Sequence, residues 1–200
     1  LRQGAVFKPR FFLGPSLICF ATPTMRLDDD DFSLFGLPQR QAQSRVDIDA
    51  SWKALQALVH PDRFAAEGAS AQRLAMQWAV RVNEAHQRLR DPLKRAAYLC
   101  ELRGAPLQAN ENTSMPASFL LEQMTWREDL DEAQTLAEVR DIDAAVATRE
   151  AQLLDAVQDL LDQQGKAKAA AGQVRALMFI ARFRADLRAN IDRRLEALGQ

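Results

Sequence analysis

Two hundred residues with a net charge of −1 fit one domain or two small ones and create no global field that would draw nucleic acid. The apolar share of 48% is ample for a core, and Ala, Leu, Arg, Gln and Glu dominate from residue 44 onward. Val and Ile never gather into alternating runs, so the chain reads as all-α.

Residues 1–27 carry Arg2, Lys8, Arg10 and Arg26, no acids, and an apolar stretch from Phe11 to Phe20 that Gly14-Pro15 interrupts. That stretch is too short to span a bilayer. Met25 stands just ahead of the first patterned segment, so residues 1–27 are expected to be an upstream extension that lies outside the fold. Asp28 to Asp31 with Phe32 should open a short helix or turn.

Ser44 with Asp47 three residues on predicts a helix start. Ile48, Trp52, Leu55 and Val59 follow as one buried stripe. Pro61 restricts His60 to extended backbone, so this helix should stop near Val59. Ser70 is the expected cap of the next helix, whose apolar side is Leu74, Trp78, Val82, Ala85 and Leu89 and whose end is Asp91-Pro92. Trp52 and Trp78 should pack between these two long helices. A further helix carries Ala96, Leu99 and Leu102 and ends at Gly104, a good residue for a left-handed cap.

Residues 105–116 read as a linker. Beyond it the pattern predicts three antiparallel helices, over about 117–138, 141–163 (with Gly165 behind) and 168–198. On the first, Phe119, Trp126, Leu130, Ala133 and Ala137 form the core stripe. Leu120, Leu121 and Met124 form a second apolar patch, continued by Thr125, Glu128 and Glu132. One apolar face is enough for a bundle helix, so a second bordered by acids suggests a partner. On the last helix Val174, Leu177, Ile180, Leu187, Ile191 and Leu195 fit the core, and Phe179 lies off that stripe. Residues 105–162 hold thirteen acids and three arginines; residues 163–195 hold eight bases and two aspartates. Acidic and basic helices lying side by side account for this pattern.

Cys19 and Cys100, with His60 and His86, have no metal-ligand spacing, so no metal or other cofactor is expected on this chain. Two thiols without a framework fit a reducing compartment. His60 and Asp62 are acid–base residue types, but no nucleophile accompanies them in a recognisable pattern, so the chain is not read as an enzyme. A helical enzyme using the two as acid and base is the rival from another class. The simpler use of His60-Pro61-Asp62 is a surface contact, because an exposed carboxylate can accept two bonds from a partner arginine.

The tripeptide alone is a weak signal; its flanks make it specific. Phe32-Ser33-Leu34-Phe35-Gly36-Leu37-Pro38 lies about one helix-length upstream. Asn83-Glu84-Ala85, Leu89-Arg90-Asp91-Pro92 and Arg95-Ala96-Ala97-Tyr98-Leu99 follow it. This order resembles the J-domain of co-chaperones that work with DnaK-type ATPases. Leu-Phe-Gly-Leu-Pro, His-Pro-Asp-Arg-Phe and Arg-Ala-Ala-Tyr-Leu resemble the HscB family, the J-type co-chaperones of iron–sulfur cluster assembly. The likeness continues through Phe119-Leu120-Leu121-Glu122-Gln123-Met124 and Arg127-Glu128-Asp129-Leu130-Asp131-Glu132 and covers about residues 30 to 200.

The resemblance implies an L-shaped, two-domain protein. A J-domain over 28–104 is followed by the linker 105–116 and a client-binding three-helix domain over 117–200. It implies that His60, Pro61 and Asp62, with Arg63 and Lys53 adding charge, meet the DnaK-type ATPase HscA. It also implies that Leu120, Leu121, Met124, Thr125, Glu128, Glu132 and Phe179 hold the scaffold protein IscU. Thr125 departs from the acidic residue expected at its position. The helix before the loop is less basic than in many J-domains, with Arg45 and Lys53 beside Asp47 and Asp49, which predicts weaker electrostatic attraction. No nucleic-acid or membrane partner is expected, and the protein is expected to act as a cytoplasmic monomer. A general J-domain co-chaperone for unfolded clients is the closest alternative; the chain has no Gly-Phe-rich segment after the J-domain and no Cys-rich zinc repeat.

Overall fold

The computed structural model describes residues 6–7, 25–107, 115 and 117–198. The chain divides into two compact units, one made of residues 1–39 and 43–91, the other of 40–42 and 92–200. Apart from one two-stranded ladder, the regular structure among the described residues is helical.

In the first unit β1 (Val6–Phe7) pairs antiparallel with β2 (Met25–Arg26). Both strands lie within residues 1–27, the segment expected to stand outside the fold, and pair only with each other in this ladder; the rest of residues 1–24 lies outside the described residues. The first helix, α1 (Asp31–Phe35), is capped by Asp30, whose carboxylate accepts the backbone N–H groups of Phe32 and Ser33. Phe32, Leu34 and Phe35 are buried. So is Asp31, whose carboxylate lies 2.6 Å from Arg81 Nη1 and 2.9 Å from Arg88 Nη1. A buried carboxylate persists only when paired and hydrogen-bonded in this way.

The helix α2 (Arg45–Val59) starts where Ser44 and Asp47 predict, with Ser44 Oγ accepting the Asp47 N–H at 3.3 Å. It ends at Val59, and His60 is extended (φ −61°, ψ 126°) as Pro61 requires. Residues Pro61–Glu67 then coil into a 3₁₀ turn rather than an open loop. The next helix, α3 (Ala69–Arg90), begins at Gly68, not at a Ser70 cap, and has no side-chain cap. Gly68 sits at φ 91°, a region other residues rarely adopt, which lets the 3₁₀ turn hand over directly to α3. Trp78, Val82, Ala85 and Leu89 are buried as expected; Leu74 is only half-buried, and Ala75 is the fully packed residue of that turn. Trp52 is also half-buried. Its indole N–H donates to Asn83 Oδ1 at 3.0 Å, and its face stacks on His86 at 4.6 Å.

The two compact units meet at Asp91 and Pro92, whereas the expected J-domain runs to 104. The helix α4 (Pro92–Leu102) belongs to the second unit, where it packs on α7 (Ala167–Leu198) and α6 (Leu136–Gln158). Ala96, Leu99 and Cys100 are buried, while Leu102, expected in the core, ends the helix and is exposed. Gly104 (φ 70°) closes α4, with the Ala105 N–H donating to the Cys100 carbonyl at 2.8 Å. Most of the expected linker, 108–114 and 116, lies outside the described residues.

The helix α5 (Ala117–Glu132) stops six residues before the expected end at 138. Thr135 and Glu138 form a capping box that starts α6, and Ala137, expected on the α5 core stripe, is exposed on the new helix. A π-helical turn, Asp159–Gln163, follows α6. Its Asp162 carboxylate accepts the N–H groups of Gln41 and Ala42 at 2.7 and 2.8 Å, which ties that short segment to the bundle. Val174, Leu177, Ile180 and Leu187 of α7 are core; Ile191 is half-buried and Leu195 exposed. With 32 residues against 23 in α6, α7 runs past its neighbour. Acidic α6 and basic α7 do lie together. Arg184 reaches Asp143 (2.9 Å) and Glu150 (2.6 Å), and these bonds, Asp143 first, hold its guanidinium well above the ordinary range.

Candidate functional site

The His60-Pro61-Asp62 segment is exposed at the C-terminal end of α2. His60 Nδ1 accepts the Asp62 backbone N–H at 3.3 Å, so a neutral ring carries its proton on Nε2. The bond makes the imidazole the cap of the 3₁₀ turn. The Asp62 carboxylate, 3.6 Å from Nδ1, is 90% exposed, against 56% for His60. The histidine is thus half committed to local structure, and the carboxylate is presented to solvent. Nothing in this pair resembles a buried catalytic dyad.

Arg63, expected to add charge for a partner, spends part of its guanidinium internally. Its Nη1 donates to the Ala57 carbonyl at 2.7 Å, satisfying an otherwise orphaned acceptor in the last turn of α2. That bond folds the loop back against the helix that carries it. Lys53 lies exposed on α2, two turns before its end.

The second candidate surface is on α5 and α7 of the other unit. Leu120, Leu121 and Met124 are 46%, 64% and 57% exposed. Thr125, Glu128 and Glu132 continue along the same side and are exposed too. Phe119, predicted core, is buried, and Phe179 is half-buried. Four rings close a cycle that the sequence pattern does not announce. Phe119 meets Trp126 edge-on at 6.2 Å, Trp126 stacks on Phe183 at 5.9 Å, Phe183 stacks on Phe179 at 6.5 Å, and Phe179 meets Phe119 edge-on at 6.0 Å. The cycle joins α5 to α7 and fixes the Phe179 ring at the border of the exposed apolar patch. Phe183, absent from the expected core, is buried in it; its spacing from Ile180 and Leu187 was the available signal.

Other polar chemistry is sparse. Cys100 is buried, with burial pushing its thiol up against the opposing effect of Arg103 and Arg175. Among the described residues no group of three or more His, Cys, Asp or Glu side chains is placed to hold a metal ion, and no helix is long and apolar enough to cross a membrane.

A family model described as the HSCB C-terminal oligomerisation domain matches residues 115–188, which include both α5 and the Phe179 region of α7. The co-chaperone protein HscB homolog of Burkholderia mallei is 47% identical over 173 residues, spanning 84% of this chain and 97% of that protein. The chain belongs to the HscB co-chaperone family. The HscB homolog of Bordetella pertussis is 45% identical, spanning 80% of this chain and 95% of that protein. Among solved structures, chaperone HscB from Vibrio cholerae superposes with a TM-score of 0.72 at 33% identity, over 82% of this chain and 99% of that one. Human co-chaperone HscB gives 0.78 at 24% identity over 89% and 93%, a likeness of fold. The all-α reading and the family resemblance both hold.

Proposed function

We propose that this HscB-family chain stimulates the ATPase of the DnaK-type chaperone HscA through His60-Pro61-Asp62 and brings it the scaffold protein IscU on the α5–α7 face. The observation that carries the reading is the Asp62 carboxylate, exposed and held on a short turn whose backbone His60 and Arg63 fasten to α2. A pre-positioned carboxylate suits a bidentate bond from a partner arginine. The chain hydrolyses nothing itself; it favours one conformational state of its partner by binding that state better.

The patch of Leu120, Leu121 and Met124, with Phe179 at its edge and Glu128 and Glu132 on its rim, supports the second half of the reading. Apolar anchors supply most of the affinity of such a face, and rim charges act mainly on association rate. Steady-state ATP hydrolysis by HscA, measured with and without this protein, tests the first half. Stimulation by the wild-type chain that disappears in Asp62→Asn is the expected result. A wild-type chain that leaves the HscA rate unchanged overturns it.

A further inference from the structure

His60 meets both polar groups of Asp62 through one atom. Its Nδ1 accepts the Asp62 backbone N–H at 3.3 Å, and Asp62 Oδ2 stands 3.6 Å from the same nitrogen. A neutral ring holds the first contact and not the second, because a lone pair on Nδ1 accepts an N–H and offers a carboxylate nothing. A protonated ring reverses the two. Nδ1 then carries a hydrogen, cannot accept the backbone N–H, and has a carboxylate oxygen within reach. Closing that gap to the ~2.8 Å of a charge-assisted bond moves the carboxylate by less than ~1 Å. Nε2 donates in either state, so the loop reads the charge of the ring at Nδ1 alone.

The surroundings leave this exchange to the two residues. Arg63 on the same turn donates to the Ala57 carbonyl, and Arg73 on α3 donates to the Ala69 carbonyl. Lys53 on α2 and Glu67 on the turn are exposed. Among the described residues none of these four is ion-paired with the imidazole; Asp62 is. Both side chains are more than half exposed, so packing locks neither.

We infer that His60 is a proton-operated switch on the chaperone contact: neutral, it caps the turn and leaves the Asp62 carboxylate to solvent; protonated, it draws that carboxylate onto its own ring. The inference rests on the function proposed above for the loop and adds its regulation. Capture weakens the contact in two ways. One carboxylate oxygen is withdrawn from the fork of a partner arginine, and the imidazolium sets a cation beside the incoming guanidinium. An exposed pair is weak, so the change is graded, a few-fold rather than all or none. The contact therefore weakens on acidification between pH 8 and pH 5, the range in which histidines change charge.

An NMR titration of the full chain over that range tests the exchange. The His60 ring nitrogens, assigned by their loss in His60→Asn, should show the Nε2–H form at the alkaline end. The Asp62 amide proton and carboxyl carbon should then shift in step with the ring, and should stay in place in His60→Asn. In parallel, the ratio of HscA hydrolysis rates with and without the wild-type chain should fall about threefold from pH 7.5 to pH 5.5. Asp62 signals that stay fixed while the ring charges overturn the inference, as does an Asp62 shift that persists in His60→Asn. A rate ratio that holds steady while the ring charges also overturns it and leaves the chaperone contact standing. A chain that stimulates HscA at no pH removes that contact, and the switch with it.

Discussion

His86 Nε2 lies 2.7 Å from Asp49 Oδ1 while the imidazole face covers the indole of Trp52. One side chain thus joins α2 and α3 through both its edge and its face. The bond to His86, helped by Arg90 and Arg45, holds the Asp49 carboxyl below the usual carboxylate range. A carboxyl whose folded pKa is lowered adds stability that is present above its unfolded value and lost as pH falls through the folded one. Thermal melts from about pH 6 downward should therefore show a steeper acid loss for the wild type than for Asp49→Asn, with the gap between the two curves narrowing once the pH falls below the ordinary carboxylate range. Parallel curves across that range would show that the contact contributes no linkage.

Asp31 gives a larger effect. It is fully buried between Arg81 and Arg88, and Arg81 also donates to the Asp29 carbonyl at 2.7 Å. Removing one member of a buried ionic cluster leaves the other charges uncompensated, at about 3 kcal/mol or more. Asp31→Ala should lower the melting temperature of the first unit by more than about 10 °C. A shift of under about 3 °C would show that the arginines find water readily.

Thr135→Ala tests the start of α6. The Thr135 hydroxyl accepts the Glu138 N–H, and the Glu138 carboxylate accepts the N–H groups of Thr135 and Gln134. Losing the hydroxyl should cost about 1 kcal/mol in urea unfolding. An unchanged midpoint would mean that the helix start is fixed by packing of Val139 rather than by the cap.

This cap also marks where sequence reasoning stopped short. The ends of α2 were legible because Ser44, Asp47 and Pro61 each act on neighbouring backbone. The α5–α6 break is masked because the apolar spacing through Ala133 and Ala137 continues a helical period across it, although Thr135 and Glu138 spell out a helix start. Ser70 is a misleading cap, since the 3₁₀ turn runs from Pro61 to Glu67 and α3 follows from Ala69, which leaves Ser70 already helical. The assignment of α4 to the second unit has no local signature, because Ala96 and Leu99 are equally apolar towards any neighbour. Among the candidate surfaces, the exposure of Leu120, Leu121 and Met124 was legible as a second apolar stripe. The aromatic cycle was not, because it depends on which turn of α7 faces which turn of α5.

The cycle divides the α5–α7 face into two kinds of residue, and one pair of variants separates them. Leu120 and Met124 are about half exposed, so truncating them removes little buried area. Leu120→Ala/Met124→Ala should melt within about 2 °C of the wild type, yet bind IscU at least tenfold more weakly, because apolar anchors at an interface are each worth about 1 to 3 kcal/mol. Phe179 is different: its ring contacts both Phe119 and Phe183, and Phe119 and Phe183 are buried. Phe179→Ala opens the cycle and should cost about 1 to 3 kcal/mol of stability in addition to any lost affinity, since the gap cannot fully close. Phe179→Leu, which keeps most of the volume, should recover much of the stability while still lacking the ring contacts with Phe119 and Phe183. Circular dichroism melts beside titration calorimetry with IscU read out both quantities. A double variant at Leu120 and Met124 that unfolds early would place those side chains in the core. One that stays folded with undiminished affinity would remove the apolar patch from the interface.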